Sequence, residues 1–411
     1  MRIKRSELGA SRPELRPGLE DEVRVILEEV RHEGDLAVRR LSERFDGVDP
    51  GCPRVDPAEV EASAELVEPA VLDGLRTAAV NVRALVEAQL REPVATDLAQ
   101  GQHIEIAELP VRRAAIYVPG GRAPYPSSVV MGAVTARAAG VDEVVVSSPP
   151  GLGGGLNPVI LAACALCEVD EVYAMGGAQA IAALAFGTHS VRQVDVIAGP
   201  GNAWVQQAKK QVSWTEVGID GIAGPSELLV IADGDDLDAE PIALDLLAQA
   251  EHGPDSLLWL FSPDERVREA VIEAVERMAP ERPSVTDATL EVVPVGGEPA
   301  VDLANGIAPE HLELVGERAE VLAPLVRSAG CLFVGAGAAT AFGDYVAGSN
   351  HVLPTGGAAR FQSALSAATF RRRMARVSLP GEAPARLARA GAALARAEGF
   401  PVHAESMEHR A

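Results

Sequence analysis

Aromatic residues make up only 4% of this chain of 411 residues, against 47% hydrophobic residues in all, so its interior must be built from aliphatic side chains and alanine. Basic residues are also in the minority: 36 Lys and Arg face 59 Asp and Glu, a formal net charge of −23. A surface of that sign repels phosphate backbones and anionic lipid, which removes nucleic acid and membrane from the expected partners. No apolar run approaches the ~20 residues of a membrane-spanning helix. The opening Met1-Arg-Ile-Lys-Arg-Ser-Glu7 is basic, but it runs into Gly, Pro and charge rather than into the apolar segment of a secretory signal. Four cysteines are too few for a disulfide framework at this length, so a reducing, cytoplasmic setting is expected. Cys164 and Cys167 have a metal-like spacing, but no second pair accompanies them and they lie in an apolar helical run, which reads as core packing.

At this length one core stops growing, and two or more are expected. Residues 19–45 carry Val23, Ile26, Leu27, Val30, Leu36, Val38, Leu41 and Phe45 among many charges, the pattern of amphipathic helices broken at Gly34-Asp35. From residue 114 short β-rich runs (114–118, 143–147, 170–175, 194–198) alternate with helical stretches opening near Ser127, Pro158, Ala178 and Asn202. That alternation implies right-handed βαβ units and a mostly parallel sheet. A second α/β set follows, with strands at 228–232, 257–261 and 331–334 and a helix from about Ala239 to His252. Residues 356–380 lose the alternation and include Arg371-Arg-Arg; an Ala/Arg-rich helix at 384–398 and a polar tail complete the chain. So small a terminal helix has little core of its own and is expected to dock elsewhere.

Three glycine turns end successive strands and open helices: the run after Tyr117, Gly176-Gly-Ala-Gln179, and Gly199-Pro-Gly-Asn202. None has the six-residue dinucleotide fingerprint, but three at the carboxyl ends of parallel strands point to a nucleotide crevice. Gln249 and His252, three apart on one helix face, suit either a metal pair or two solvated groups at a helix end. Glu310-His311 puts an acid beside an imidazole after Pro309, which suits general acid–base work and also arises by chance. Asp344 lies in the polar, glycine-rich stretch Phe342-Gly-Asp-Tyr-Val-Ala-Gly-Ser-Asn-His351, and His403 in the tail.

Several long segments agree, in order, with one family. They are Ile116-Tyr-Val-Pro-Gly-Gly-Arg-Ala-Pro-Tyr-Pro-Ser-Ser128, Gly176-Gly-Ala-Gln-Ala-Ile-Ala-Ala-Leu-Ala-Phe-Gly187, Gly199-Pro-Gly-Asn-Ala-Trp-Val205, Ala223-Gly-Pro-Ser-Glu227, Gln249-Ala-Glu-His-Gly-Pro-Asp255, Ala308-Pro-Glu-His-Leu-Glu313, and the stretch from Asp344 to Thr355. Together they resemble the histidinol dehydrogenases over residues 114–355, with a weaker echo at both ends. The resemblance implies an NAD-linked oxidation of L-histidinol to L-histidine through bound histidinal, at the end of histidine biosynthesis. It also implies one Zn2+ per subunit, on Gln249, His252, Asp344 and His403, the last reaching across a homodimer. Glu310 and His311 are implied as the catalytic pair, Ser226, Gln249, His252, His311, Asp344, Glu398 and His403 as substrate contacts, and Tyr117, Gln179 and Asn202 as NAD contacts.

The expected fold is α/β, with two Rossmann-like parallel-sheet domains, a helical N-terminal lead-in and a small C-terminal helical tail exchanged in the dimer. Residues 1–110 with 226–355 form the first domain, 111–225 the second, and 356–411 the arm and tail. The competing readings are a related NAD-dependent amino-alcohol or aldehyde dehydrogenase, for which Cys331 is the one plausible thiol nucleophile, and a non-catalytic two-domain binding protein.

Overall fold

The structure is a computed structural model that describes residues 1–5, 18–120, 123–151 and 153–411; Gly121 and Arg122 of the first glycine turn lie outside the described residues. Contacts divide the chain into two compact units, residues 1–88 with 112–370 and residues 89–111 with 371–411.

The first unit is built on two all-parallel sheets. One has five strands in the order Glu171–Ala174, Glu143–Ser148, Arg113–Tyr117, Val196–Ala198, Gly218–Ile219. The other has six, in the order Arg2–Arg5, Thr289–Val293, Leu257–Phe261, Glu227–Ala232, His311–Val315, Cys331–Val334. The chain is therefore α/β, as its alternation implies. Central strands are buried on both faces, so Glu227–Ala232 reads as a nearly unbroken apolar run instead of alternating. The lead-in forms the helices Leu19–Glu33 and Asp35–Asp46, the first burying Leu19, Val23, Ile26, Leu27 and Val30 at helical spacing. These side chains join one core with Ala115, Tyr117, Ile181 and Ile197 of the five-stranded sheet and its helices. Full burial of each Leu, Ile or Val contributes roughly 1.5–3 kcal/mol. Cys164 and Cys167 are buried in their helical segment, and burial pushes both thiols well up, which fits packing rather than metal binding.

The second unit is an antiparallel sheet, Arg371–Ser378 beside His103–Pro110 beside Val94–Asp97, with the helices Ala383–Ala397 and Pro401–Glu408. Its helical core is small: Ala392, Ala395 and Ala404 with Met407 against them. Polar pairs supplement it, Arg373 with Glu108, Arg376 with Glu105 and a two-pronged Arg396–Glu408 contact. No helix among the described residues is long and apolar enough to cross a membrane.

Candidate active site

The central strands of the six-stranded sheet begin with chemistry. His311 is the first residue of its strand and is 3% exposed; Glu310, just before it, is 7% exposed. The preceding helix, Gly297–Ile307, stops at Ala308, which has φ 50°, a left-handed conformation that L residues avoid. Together with Pro309, this turn aims the pair into the protein interior. Gly330 lies so close that a Cβ would sit 2.5 Å from the Glu310 carbonyl oxygen.

Three groups surround the imidazole. Its Nδ1 lies 3.2 Å from the Glu227 carbonyl oxygen and 3.5 Å from Glu310 Oε2, and its Nε2 lies 3.5 Å from Asp344 Oδ1. A carbonyl can only accept, so Nδ1 carries the hydrogen and Nε2 is the nitrogen left for proton exchange. At 3.5 Å the contact to Asp344 is an ion pair rather than a hydrogen bond, and Nε2 has no hydrogen-bond partner among the described residues. Burial works against the charged imidazole, but the carboxyls of Glu310 and Asp344 outweigh it and hold His311 well above its ordinary value. Burial opposes ionisation of Asp344 too, yet the facing imidazole of His311, with His351 and His252 nearby, keeps its carboxyl below the usual range.

Asp344 sits in the short helix Thr340–Tyr345, and its backbone oxygen is 2.8 Å from His351 Nδ1. His351 Nε2 is 3.3 Å from Ser128 Oγ, on the helix that follows the central strand of the other sheet. His351 was visible in the sequence only as part of a polar stretch. Its partners, seven and 223 residues away, are what draw it into the site.

Gln249 lies near the end of the helix Ala239–Ala250 and is 1% exposed, while His252 falls in the turn just beyond and is exposed. Gln249 Nε2 is buried with no hydrogen-bond partner among the described residues. A fully buried amide left so is a group built for something else to bind. An amide, an imidazole and a carboxylate on Gln249, His252 and Asp344 are donors that suit a zinc ion kept open to substrate. Among the described residues no three His, Cys, Asp or Glu side chains are drawn together as a ready metal site. Ser226 is half-buried, one residue before the strand Glu227–Ala232. Glu398, which caps the helix Ala383–Ala397, and His403, in the helix Pro401–Glu408 with its ring 5.3 Å from that of Phe400, belong to the second unit, and both are exposed.

The glycine turns gather on Tyr117. Its hydroxyl accepts from Gly177 N–H at 3.1 Å, and burial pushes its pKa up to about 12. Gly199 has φ 117°, and a Cβ there would stand 2.1 Å from the Tyr117 carbonyl oxygen, so only glycine allows this approach. Buried Lys209 donates to the Gly199 oxygen at 2.9 Å, and Asp220 Oδ2 accepts from the Gly199 N–H at 2.7 Å. Gln179 is 1% exposed and donates to Asp46 at 3.3 Å. Asn202 caps the helix Ala203–Val212, accepting from Trp204 and Val205 N–H at 3.1 Å each.

Cys331 opens the strand next to His311, level with it, and is half-buried. Burial raises its thiol despite the opposing charge of His311, which disfavours a thiolate nucleophile. Below the site Asp245 and Glu313 hydrogen-bond inside the core, and burial followed by the charge of Asp245 pushes Glu313 up to about 9.

The histidinol dehydrogenase family model matches residues 11–411. Histidinol dehydrogenase of Parasynechococcus marenigrum (strain WH8102) is 44% identical over 395 residues, 94% of this chain and 90% of that protein. The crystal structure of histidinol dehydrogenase from Elizabethkingia anophelis superposes with a TM-score of 0.92 at 30% identity, covering 100% of this chain and 98% of that one. An NAD-dependent aldehyde dehydrogenase from Sinorhizobium meliloti shares the fold alone, with a TM-score of 0.50 at 14% identity over 87% of each chain. A family-model match over nearly the whole length, with a relative 44% identical over 94% of the chain, establishes that the chain belongs to the histidinol dehydrogenase family.

Proposed function

We propose that this protein oxidises L-histidinol to L-histidine with NAD, removing four electrons in two steps while the intermediate histidinal stays bound. The observation that carries the reading is the buried pair Glu310 and His311, with Asp344 facing the imidazole nitrogen that is left for proton exchange.

His311 accepts the hydroxyl proton at Nε2 as a hydride leaves the carbinol carbon, which yields the aldehyde. Glu310 takes a proton from water as the water oxygen adds to the aldehyde carbon, and protonated His311 returns its proton to the carbonyl oxygen, which gives the hydrate and frees Nε2 for the next step. His311 accepts a second proton as the second hydride leaves, and the product is the carboxylate. NAD supplies the hydride acceptor, two molecules for each histidinol, with contacts at Tyr117, Gln179 and Asn202. Gln249, His252 and Asp344 would hold one zinc per subunit, with His403 of the partner subunit completing a shared site in a homodimer. The zinc would orient the substrate through its nitrogens and take up the charge of Asp344, which lowers the proton affinity of His311 toward the range a general base needs. Ser226 and Glu398 complete the substrate contacts. In this division of labour, residues 111–225 serve NAD, residues 226–355 serve substrate and zinc, and 356–411 form the arm to the partner subunit.

The test is the NADH formed per L-histidinol consumed by purified protein, before and after chelation. Two NADH per substrate, lost with a chelator and restored by zinc, is the expected result. One NADH with free aldehyde removes the hydration step assigned to Glu310, and none overturns the reading.

A further inference from the structure

We propose that Glu227 is the positioning residue that holds Glu310 and His311 in working geometry, an assignment that rests on the function proposed above. It opens the central strand Glu227–Ala232, is 1% exposed, and stands level with Glu310 because His311 pairs with Leu228 in the adjoining strand.

Every polar part of this residue is used. Its N–H donates to Glu310 Oε2 at 2.8 Å, and its own Oε2 accepts from Glu310 N–H at 3.2 Å. The two acidic residues thus exchange backbone-to-side-chain hydrogen bonds where two parallel strands begin. Its carbonyl faces His311 Nδ1 at 3.2 Å, which directs Nε2 toward Asp344. Its Oε1 accepts from Gly356 N–H at 3.2 Å, tying the segment just after Thr355 to the same point. A buried carboxyl at a strand start is costly unless hydrogen-bonded, and here its bonds run to the acid, the base and the loop that follows His351. Glu227 does not exchange protons with substrate. It fixes one carboxylate oxygen of Glu310, leaving the other for water, and fixes the tautomer of His311.

The test is a double-mutant cycle. Glu227→Gln keeps the size of the side chain but places an amide NH2 against one of the two N–H donors. We expect kcat for histidinol to fall about tenfold or more, the loss of one buried hydrogen bond at a reacting group, with KM for histidinol within about threefold. In a Glu310→Gln background the same change should lower kcat less than about threefold, because the carboxylate that the Glu227 side chain positions is already gone and the backbone carbonyl that faces His311 is unchanged. Full, multiplicative losses in the two backgrounds, or a Glu227→Gln enzyme as active as the parent, would overturn the assignment. If Glu227→Gln does not fold, Glu227→Asp, which withdraws the carboxylate by one methylene, takes its place with the same expectations. Amide hydrogen exchange at Glu310 and Gly356 gives a readout without turnover: both should exchange faster in the variant, and unchanged rates would count against positioning. A parent enzyme that makes no NADH from histidinol would instead sink the proposed function, leaving the exchange rates to decide the role of Glu227.

Discussion

The two parallel sheets of the first unit present opposite ends to chemistry. The five-stranded sheet offers the carboxyl ends of its strands, where Tyr117, Gly176 and Gly199 turn into helices and the useful groups are backbone N–H donors and helix starts. The six-stranded sheet offers amino ends, where Glu310 and His311 bring side chains with protons to exchange and Glu227 and Cys331 open the strands beside them. Backbone geometry suits binding a cofactor in a fixed pose; side chains suit moving protons. One fold type, used from opposite ends, thus divides holding from reacting.

If that division holds, the largest effect lies at the amino ends. Glu310→Gln and His311→Asn should each lower kcat by about 10²–10⁴-fold, the usual contribution of a positioned acid or base, with KM for NAD unchanged. Steady-state rates for both substrates check this; a comparable rise in KM for NAD would show that the two ends are not separate in function. A smaller effect is expected at the carboxyl ends. Gly199→Ala puts a Cβ against the Tyr117 backbone in a left-handed conformation and should destabilise the fold by about 1–3 kcal/mol. Its KM for NAD should rise more than its kcat falls, measured beside a thermal melt. A loss of kcat alone would break the comparison.

The same contrast decides what the sequence disclosed. Glycine turns after apolar runs are local signals, so all three carboxyl-end loops and most of their strands are legible. The strand His311–Val315 goes unassigned in the sequence, where only its acid–imidazole start is read; His-Leu-Glu-Leu-Val alternates polar and apolar like a half-exposed strand, whereas both polar residues are buried. Glu227 looks like the end of a motif; its partner is 83 residues away, and strand register across such a distance cannot be read from spacing. The strand Arg371–Ser378 has four arginines, three of them exposed, and no local β signal, and it exists because His103–Pro110 pairs with it antiparallel. Its pairing crosses more than 260 residues, which is why the sequence shows only a loss of alternation there.

The buried Asp245–Glu313 pair gives a subtler contrast: beneath the Gly199 loop Lys209 faces Asp220 with opposite charge, whereas here two carboxyls face each other. In the unfolded chain Glu313 ionises near 4.5, but the fold pushes it up to about 9. Its contribution to stability is therefore fully present below the unfolded value and is lost as pH rises toward about 9. Glu313→Gln removes that dependence, so melting temperature should decline less from pH 6 to pH 9 in the variant than in the parent. Parallel declines would show that the pair is not what titrates.

The smallest effect is expected at Cys331, and it is the sharpest test of what the amino ends are for. The thiol stands level with His311 on the neighbouring strand, the arrangement a cysteine nucleophile with a histidine base would need. Burial nonetheless raises its pKa, Asp344 opposes a second negative charge nearby, and Glu310 and Asp344 already flank the imidazole. Cys331→Ser should then leave kcat within about twofold, because removing a thiol that stays protonated removes no reacting group. A drop of a hundredfold or more, with turnover abolished by alkylation of the parent enzyme in proportion to the Cys331 modified, would replace water activation by Glu310 with a covalent thioester route. The amino ends would then supply a nucleophile as well as an acid and a base.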